Sequence, residues 1–150
     1  MWCVTGHGEN DLTNEYTLLK DTLENNNYLV GTLNLLTDPD IPDETEILIM
    51  ASPKTDITDD ERVLIEDYVV NGGNLMVMVD ALNEDPTFNE LNKLLQLFNL
   101  AVEYDQVKEN DSSRYLPGSQ YTLVPIVAKN TINSALNPEK FAMILPKSRS

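Results

Sequence analysis

The chain has 150 residues, 25 acidic and 10 basic, for a formal charge of −15, with 41% hydrophobic and 23% charged residues. That length suits about one domain with a real core, and the charge repels nucleic acid and anionic lipid. No apolar run nears the roughly 18 residues of a membrane-spanning helix, and the single cysteine, Cys3, allows no internal disulfide.

In chain order, Trp2-Cys3-Val4 reads as a first strand, and Gly6-His7-Gly8-Glu9 follows as a turn. Leu12, Tyr16, Leu19 and Leu23 recur at helical spacing, which predicts an amphipathic helix over residues 11–25. YLVGTLNLL, residues 28–36, reads as a strand, DPDIPDET as a turn-rich connection, and EILIMA as a continuously apolar strand of a parallel sheet. Thr58-Asp59-Asp60-Glu61 has capping-box form and opens a helix with Leu64, Ile65, Tyr68 and Val69 on its buried stripe. Gly72-Gly73 supplies a left-handed stop, and LMVMVD is a second apolar strand ending at Asp80. NEDPT starts a third helix with Phe88, Leu91, Leu94, Leu95 and Phe98 on one face, and LAVEY reads as a strand.

After Tyr104 the pattern loosens. Residues 105–120 read as an exposed loop, YTLVPIVAK as a strand interrupted by Pro125, NTINSAL as a turn or short helix, and KFAMIL as a last strand. The alternation predicts one three-layer α/β domain over residues 1–150, with a mainly parallel sheet and helices on both faces. The abrupt strand at Trp2 and the stop after FAMILPKSRS lead us to expect a domain cut from a longer protein.

Ligands of parallel α/β sheets gather outside the carboxyl ends of the strands. The loops there are Gly6-His7-Gly8-Glu9, Ser52-Pro53-Lys54 and the segment from Asp80. Cys3 and His7 lie four residues apart on or near one strand, roughly 13 Å, too far for a dyad. No Gly-x-Ser-x-Gly elbow occurs. His7, Glu9 and Asp11 alternate as metal ligands could, but one histidine is a weak zinc signal, and acidic residues also belong at a helix start. Gly6-x-Gly8 lacks the third glycine of a nucleotide loop. Asp80 and Lys129 suggest a phosphoryl-accepting receiver domain, yet the acidic pair such domains need after the first strand is absent. We therefore expect no catalytic residues, metal or cofactor. We expect a binding edge of Gly6, His7, Gly8, Glu9, Ser52, Pro53 and Asp80, forming one shallow acidic groove.

Four features occur in order: Gly6 to Glu9, Pro53 to Thr58, Tyr68 to Gly73, and the apolar strand from Leu75 to Asp80. Together they resemble the extracytoplasmic domain of gliding-motility-type ABC transporter auxiliary proteins. The likeness covers residues 2–104 well and the remainder loosely. It implies a flavodoxin-like, class I glutamine-amidotransferase-like fold without the catalytic cysteine. It also implies a membrane-anchored bacterial parent, with this domain on the extracytoplasmic face beside a permease and an ATPase. Nucleic acid is not an implied partner, and the membrane is reached only through the parent. A hydrolase or sugar-processing enzyme on the same fold is the alternative, and a cytosolic ligand-binding domain a third reading.

Overall fold

A computed structural model describes residues 1–81, 87–131, 133–134 and 142–150. The chain divides into two compact units, Met1–Val102 and Glu103–Ser150. The first holds a parallel sheet of β1 (Trp2–Val4), β2 (Gly31–Leu33), β3 (Ile47–Ala51) and β4 (Asn74–Met78), in the order β2-β1-β3-β4. Its helices are α1 (Thr17–Asn25), α2 (Asp59–Val70) and α3 (Asn89–Gln96).

The apolar run of β3 is explained by burial on both faces. Leu48 and Met50 of β3 point with Val4 and Leu33 into one cluster, packed on Ile65 of α2 and Leu91, Leu94 and Leu95 of α3. Ile49 and Ala51 point the other way, with Cys3, onto Leu12 and Tyr16. This is the two-residue alternation of a strand with no polar face. The second face is covered by the segment ahead of α1, while α1 itself has no buried residue.

The helix expected over 11–25 starts later, at Thr17. The Asp11 carboxylate accepts N–H bonds from Thr13 (2.6 Å) and Asn14 (2.7 Å), so residues 11–14 form a local turn that competes with helix. The strand expected over 28–36 shrinks to Gly31–Leu33. Asn27, at φ 64°, turns the chain before it, and the Asn34 side chain accepts the Leu36 N–H after it. The strand expected at LAVEY is absent. Asn92 occupies both backbone groups of Val102, with Oδ1 accepting its N–H at 2.7 Å and Nδ2 donating to its carbonyl at 3.0 Å. Of NEDPT only Thr87 lies among the described residues, and of the expected apolar face of α3, Phe98 is exposed while the other four are buried.

The left-handed stop after α2 falls at Gly72, φ 99°, with the Gly73 N–H returning to the Tyr68 carbonyl. A Cβ on Gly73 would overlap the Tyr68 ring, whose hydroxyl sits 3.2 Å from the Thr45 and Asn74 carbonyl oxygens. Glycine is required there by contact rather than by φ.

In the second unit, β5 (Thr122–Leu123) pairs antiparallel with β6 (Leu145–Pro146). Pro125 has no N–H to donate, and β5 ends before it. The expected strand KFAMIL lies partly outside the described residues; of the remainder, only Leu145 begins a strand. NTINSAL is described at residues 130–131 and 133–134, with turn at 131, 133 and 134.

Candidate functional site

The carboxyl ends of β1, β3 and β4 meet at one edge. The Asn10 N–H donates to the Ala51 carbonyl, the Ser52 N–H to the Met78 carbonyl, and the N–H groups of Lys54 and Thr55 to the His7 carbonyl at 2.7 and 3.1 Å. These bonds bring the Gly6–Glu9 turn, Ser52-Pro53-Lys54 and the end of β4 together. Gly6 and Gly8 both take positive φ, 124° and 74°, which bends the turn over β1.

His7 lies beneath that turn, only 5% exposed. Its Nδ1 stands 3.3 Å from Glu9 Oε1, and its Nε2 3.1 Å from Glu61 Oε2 on the first turn of α2. The His7 backbone N–H donates to Glu9 Oε2 at 2.7 Å. Glu61 Oε2 also accepts the Thr58 N–H (2.9 Å) and Thr58 hydroxyl (2.8 Å), while Thr58 Oγ1 accepts the Glu61 N–H. The helix cap and the histidine therefore share one buried carboxylate.

The hydrogen bond to Glu9 raises the His7 pKa above its ordinary 6.5, against the effect of burial, and the Glu61 charge adds to the rise. Burial alone would push the Glu9 carboxyl up, but its bonds from the His7 ring and from backbone N–H groups leave it below its ordinary 4.5. The His7 ring thus lies between two carboxyl groups, an arrangement that favours its protonated form.

The other expected residues divide by exposure. Ser52 is 1% exposed and takes φ 57°, with its hydroxyl 3.5 Å from that of Tyr16. Pro53 is buried. Gly6 and Gly8 are exposed. Asp80 is partly exposed, 3.5 Å from the Lys54 ammonium. The seven residues thus meet at one edge, but His7, Glu9 and Ser52 lie under it rather than lining an open groove. The surface belongs to the two glycines, Lys54 and Asp80. Two concavities of about 840 and 830 Å³ open at the opposite edge, beside Trp2, Tyr28 and Glu46 and beside Asp43, Tyr68 and Asn74.

Asp11 does not join His7. It is exposed to its own turn, where Thr13 and Asn14 hold its carboxyl at about 2. Among the described residues no three His, Cys, Asp or Glu side chains form a metal-holding group. Cys3 lies in the apolar cluster with Leu12, Ile49 and Ala51, where burial pushes its thiol pKa up. Sequence reasoning recognised Thr58 and Glu61 as a cap but missed that Glu61 faces His7. It also missed Asp56, whose carboxylate accepts the Glu90 and Leu91 N–H groups at 2.7 and 3.0 Å and so starts α3.

The fold and edge define a mixed α/β domain with a parallel four-stranded sheet and an ordered, ion-paired carboxyl edge. The chain belongs to the family described as an ABC-type uncharacterized transport system, whose sequence profile matches residues 3–123. The family is one of auxiliary components of ABC-type transport systems. No curated protein matches it. Among solved structures it is similar to one entitled "mmIFT52 N-terminal domain", with TM-score 0.74 and 19% identity. The alignment covers 99% of this chain and 66% of that one, so the chain spans a little under two thirds of that structure. At that identity the likeness concerns the fold. Among the described residues no helix is long and apolar enough to cross a membrane.

Proposed function

We propose that the chain is a non-enzymatic, extracytoplasmic module of a membrane-anchored auxiliary protein of the gliding-motility type. In this reading it is an amidotransferase-like domain that works beside a permease and an ATPase, and its carboxyl edge binds a partner surface or a small polar ligand. The observation that carries the reading is the state of His7. Both ring nitrogens face carboxylates, at 3.3 and 3.1 Å, the Ser52 hydroxyl faces Tyr16, and the Cys3 thiol faces the core. A base activates a nucleophile only within hydrogen-bond reach, and here His7 spends both nitrogens on holding the edge together. What the edge offers outward is the exposed Gly6 and Gly8 backbone and the Lys54–Asp80 pair.

The test is charge reversal at that pair, Lys54→Glu with Asp80→Lys, in the longer parent, with co-purification of permease and ATPase as the readout. Each single variant is expected to weaken assembly, with the double variant partly restored. The chain is screened in parallel for esterase, amidase and glycosidase turnover. Turnover that disappears in His7→Gln refutes the non-enzymatic reading. Assembly untouched by all three charge variants refutes the proposed surface.

A further inference from the structure

His7 joins three parts of the edge through one residue. Its ring reaches Glu9 on its own turn and Glu61 on α2, and all three side chains are at most 4% exposed. Its carbonyl holds the N–H groups of Lys54 and Thr55. An imidazolium has two N–H donors, whereas a neutral imidazole has one donor and one acceptor. Only the charged ring can donate to both carboxylates. Among the described residues the cluster has no donor in reserve, since Glu61 Oε1 is buried without a partner there. The only described cation beside the turn, Lys54, packs its stem near Gly8 and sends its ammonium to Asp80.

We propose that His7 is a proton-operated latch: charged, it ties the Gly6–Glu9 turn to the start of α2, and neutral, it lets go of Glu61 and loosens the edge. Glu61 is the partner released because Glu9 is held on the same turn by a second bond, from the His7 backbone N–H at 2.7 Å. The ring therefore keeps its last proton toward Glu9. Nε2 then presents a lone pair to a buried carboxylate, and an unmatched buried acceptor of that kind is costly. The groups facing the ring are Glu9 from its own turn and Glu61 from α2; the adjoining loop contributes Lys54, which is committed to Asp80 at the end of β4. The raised His7 pKa places the release on the alkaline side of 6.5. As regulation of the binding edge, the latch rests on the function proposed above; as a structural device it is read without any partner.

The test is a proton–nitrogen NMR titration of the 150-residue chain from about pH 5 to about pH 9, spanning the histidine range. The His7 ring is expected to titrate with a midpoint above 6.5. The amides of Lys54, Thr55 and Glu61 shift with that same midpoint. Exchange of the Lys54 and Thr55 amides rises roughly tenfold more across the midpoint than the base-catalysed trend, as local opening requires. Glu61→Gln lowers the midpoint, and His7→Gln abolishes the shared transition. If His7→Gln does not fold, the unmodified chain and Glu61→Gln still decide the matter. A midpoint at or below 6.5, or flat Lys54 and Thr55 amides while the ring titrates, overturns the latch. A shared transition combined with assembly indifferent to the Lys54 and Asp80 variants keeps the latch and removes the binding surface.

Discussion

Replacing Glu61 by alanine removes a carboxylate that is 2% exposed, accepts from the Thr58 N–H and the Thr58 hydroxyl, and faces His7 Nε2 at 3.1 Å. Two costs combine. Loss of the reciprocal cap on α2 is worth about 1 kcal/mol. Removing one member of a buried ion pair costs about 3–5 kcal/mol when the survivor stays charged, and less here because His7 can shed its proton. We expect a net loss of about 3 kcal/mol, which for a chain of this size lowers Tm by roughly 10 °C. Glu61→Gln separates the two costs, since the amide oxygen still accepts from Thr58 and only the charge is lost. The folded pKa of His7 is raised, so its stabilising protonation is fully present below 6.5 and lost as pH rises through the folded value. The Tm difference between Glu61→Gln and the unmodified chain is therefore largest below 6.5 and narrows as pH rises through the folded value. The assay is thermal melting by circular dichroism at a series of pH values. A Glu61→Ala melt within about 2 °C of the unmodified chain, or a Glu61→Gln difference that grows with pH, would refute the reasoning.

Three further outcomes are expected. Asp56→Ala uncaps α3, whose Glu90 and Leu91 N–H groups it holds, and should cost about 1–2 kcal/mol in a urea titration; an unchanged midpoint counts against that cap. Gly73→Ala forces a methyl into the Tyr68 ring and should cost about 1–3 kcal/mol by melting, whereas Gly72→Ala meets open space and is penalised only by its φ of 99°; equal effects would show that contact does not govern Gly73. Acidification tests Glu9: its lowered pKa means a stabilisation present above 4.5 and lost as pH falls through the folded value, so Glu9→Gln should flatten the acid limb of the melting curve.

The sheet was legible because its central strand, β3, is buried on both faces. Ile47–Ala51 and Leu75–Val79 are unbroken apolar runs, and an isolated apolar pentamer between turn signals has few other places to go. Thr58 and Gly72 marked the ends of α2 because caps and positive φ select few residue types. The failures have a common cause in side chains that take over backbone groups. Asp11 delayed α1, and Asn92 claimed Val102 where a strand was expected. Such bonds depend on which residue a folded loop brings near, which periodicity does not encode. The same holds for the site. Gly6-His7-Gly8 marked a turn at the correct edge, but nothing along the chain announces that Glu61, 54 residues later, meets His7.

That pairing bears on why a cap residue is so deeply buried. A Glu at the third helical position ordinarily reaches back to its cap at the surface, where water meets its remaining valences. Here Oε1 is buried and among the described residues no donor meets it, while Oε2 accepts two bonds from Thr58 and faces His7 Nε2 at 3.1 Å. An apolar residue in Glu61's place would avoid the desolvation. Stability alone therefore does not account for the residue. Position does: β1 and α2 are separated by more than 50 residues, and among the described residues the Gly6–Glu9 turn is held to the 52–55 segment by backbone bonds. The His7–Glu61 contact fixes that turn against the helix in one register, because a buried charge tolerates no slip away from its partner. If that is its role, His7→Leu combined with Glu61→Leu should melt close to the unmodified chain while the Gly8 and Lys54 amides lose their single sharp resonances. A double variant with those resonances intact would show that apolar packing positions the edge equally well.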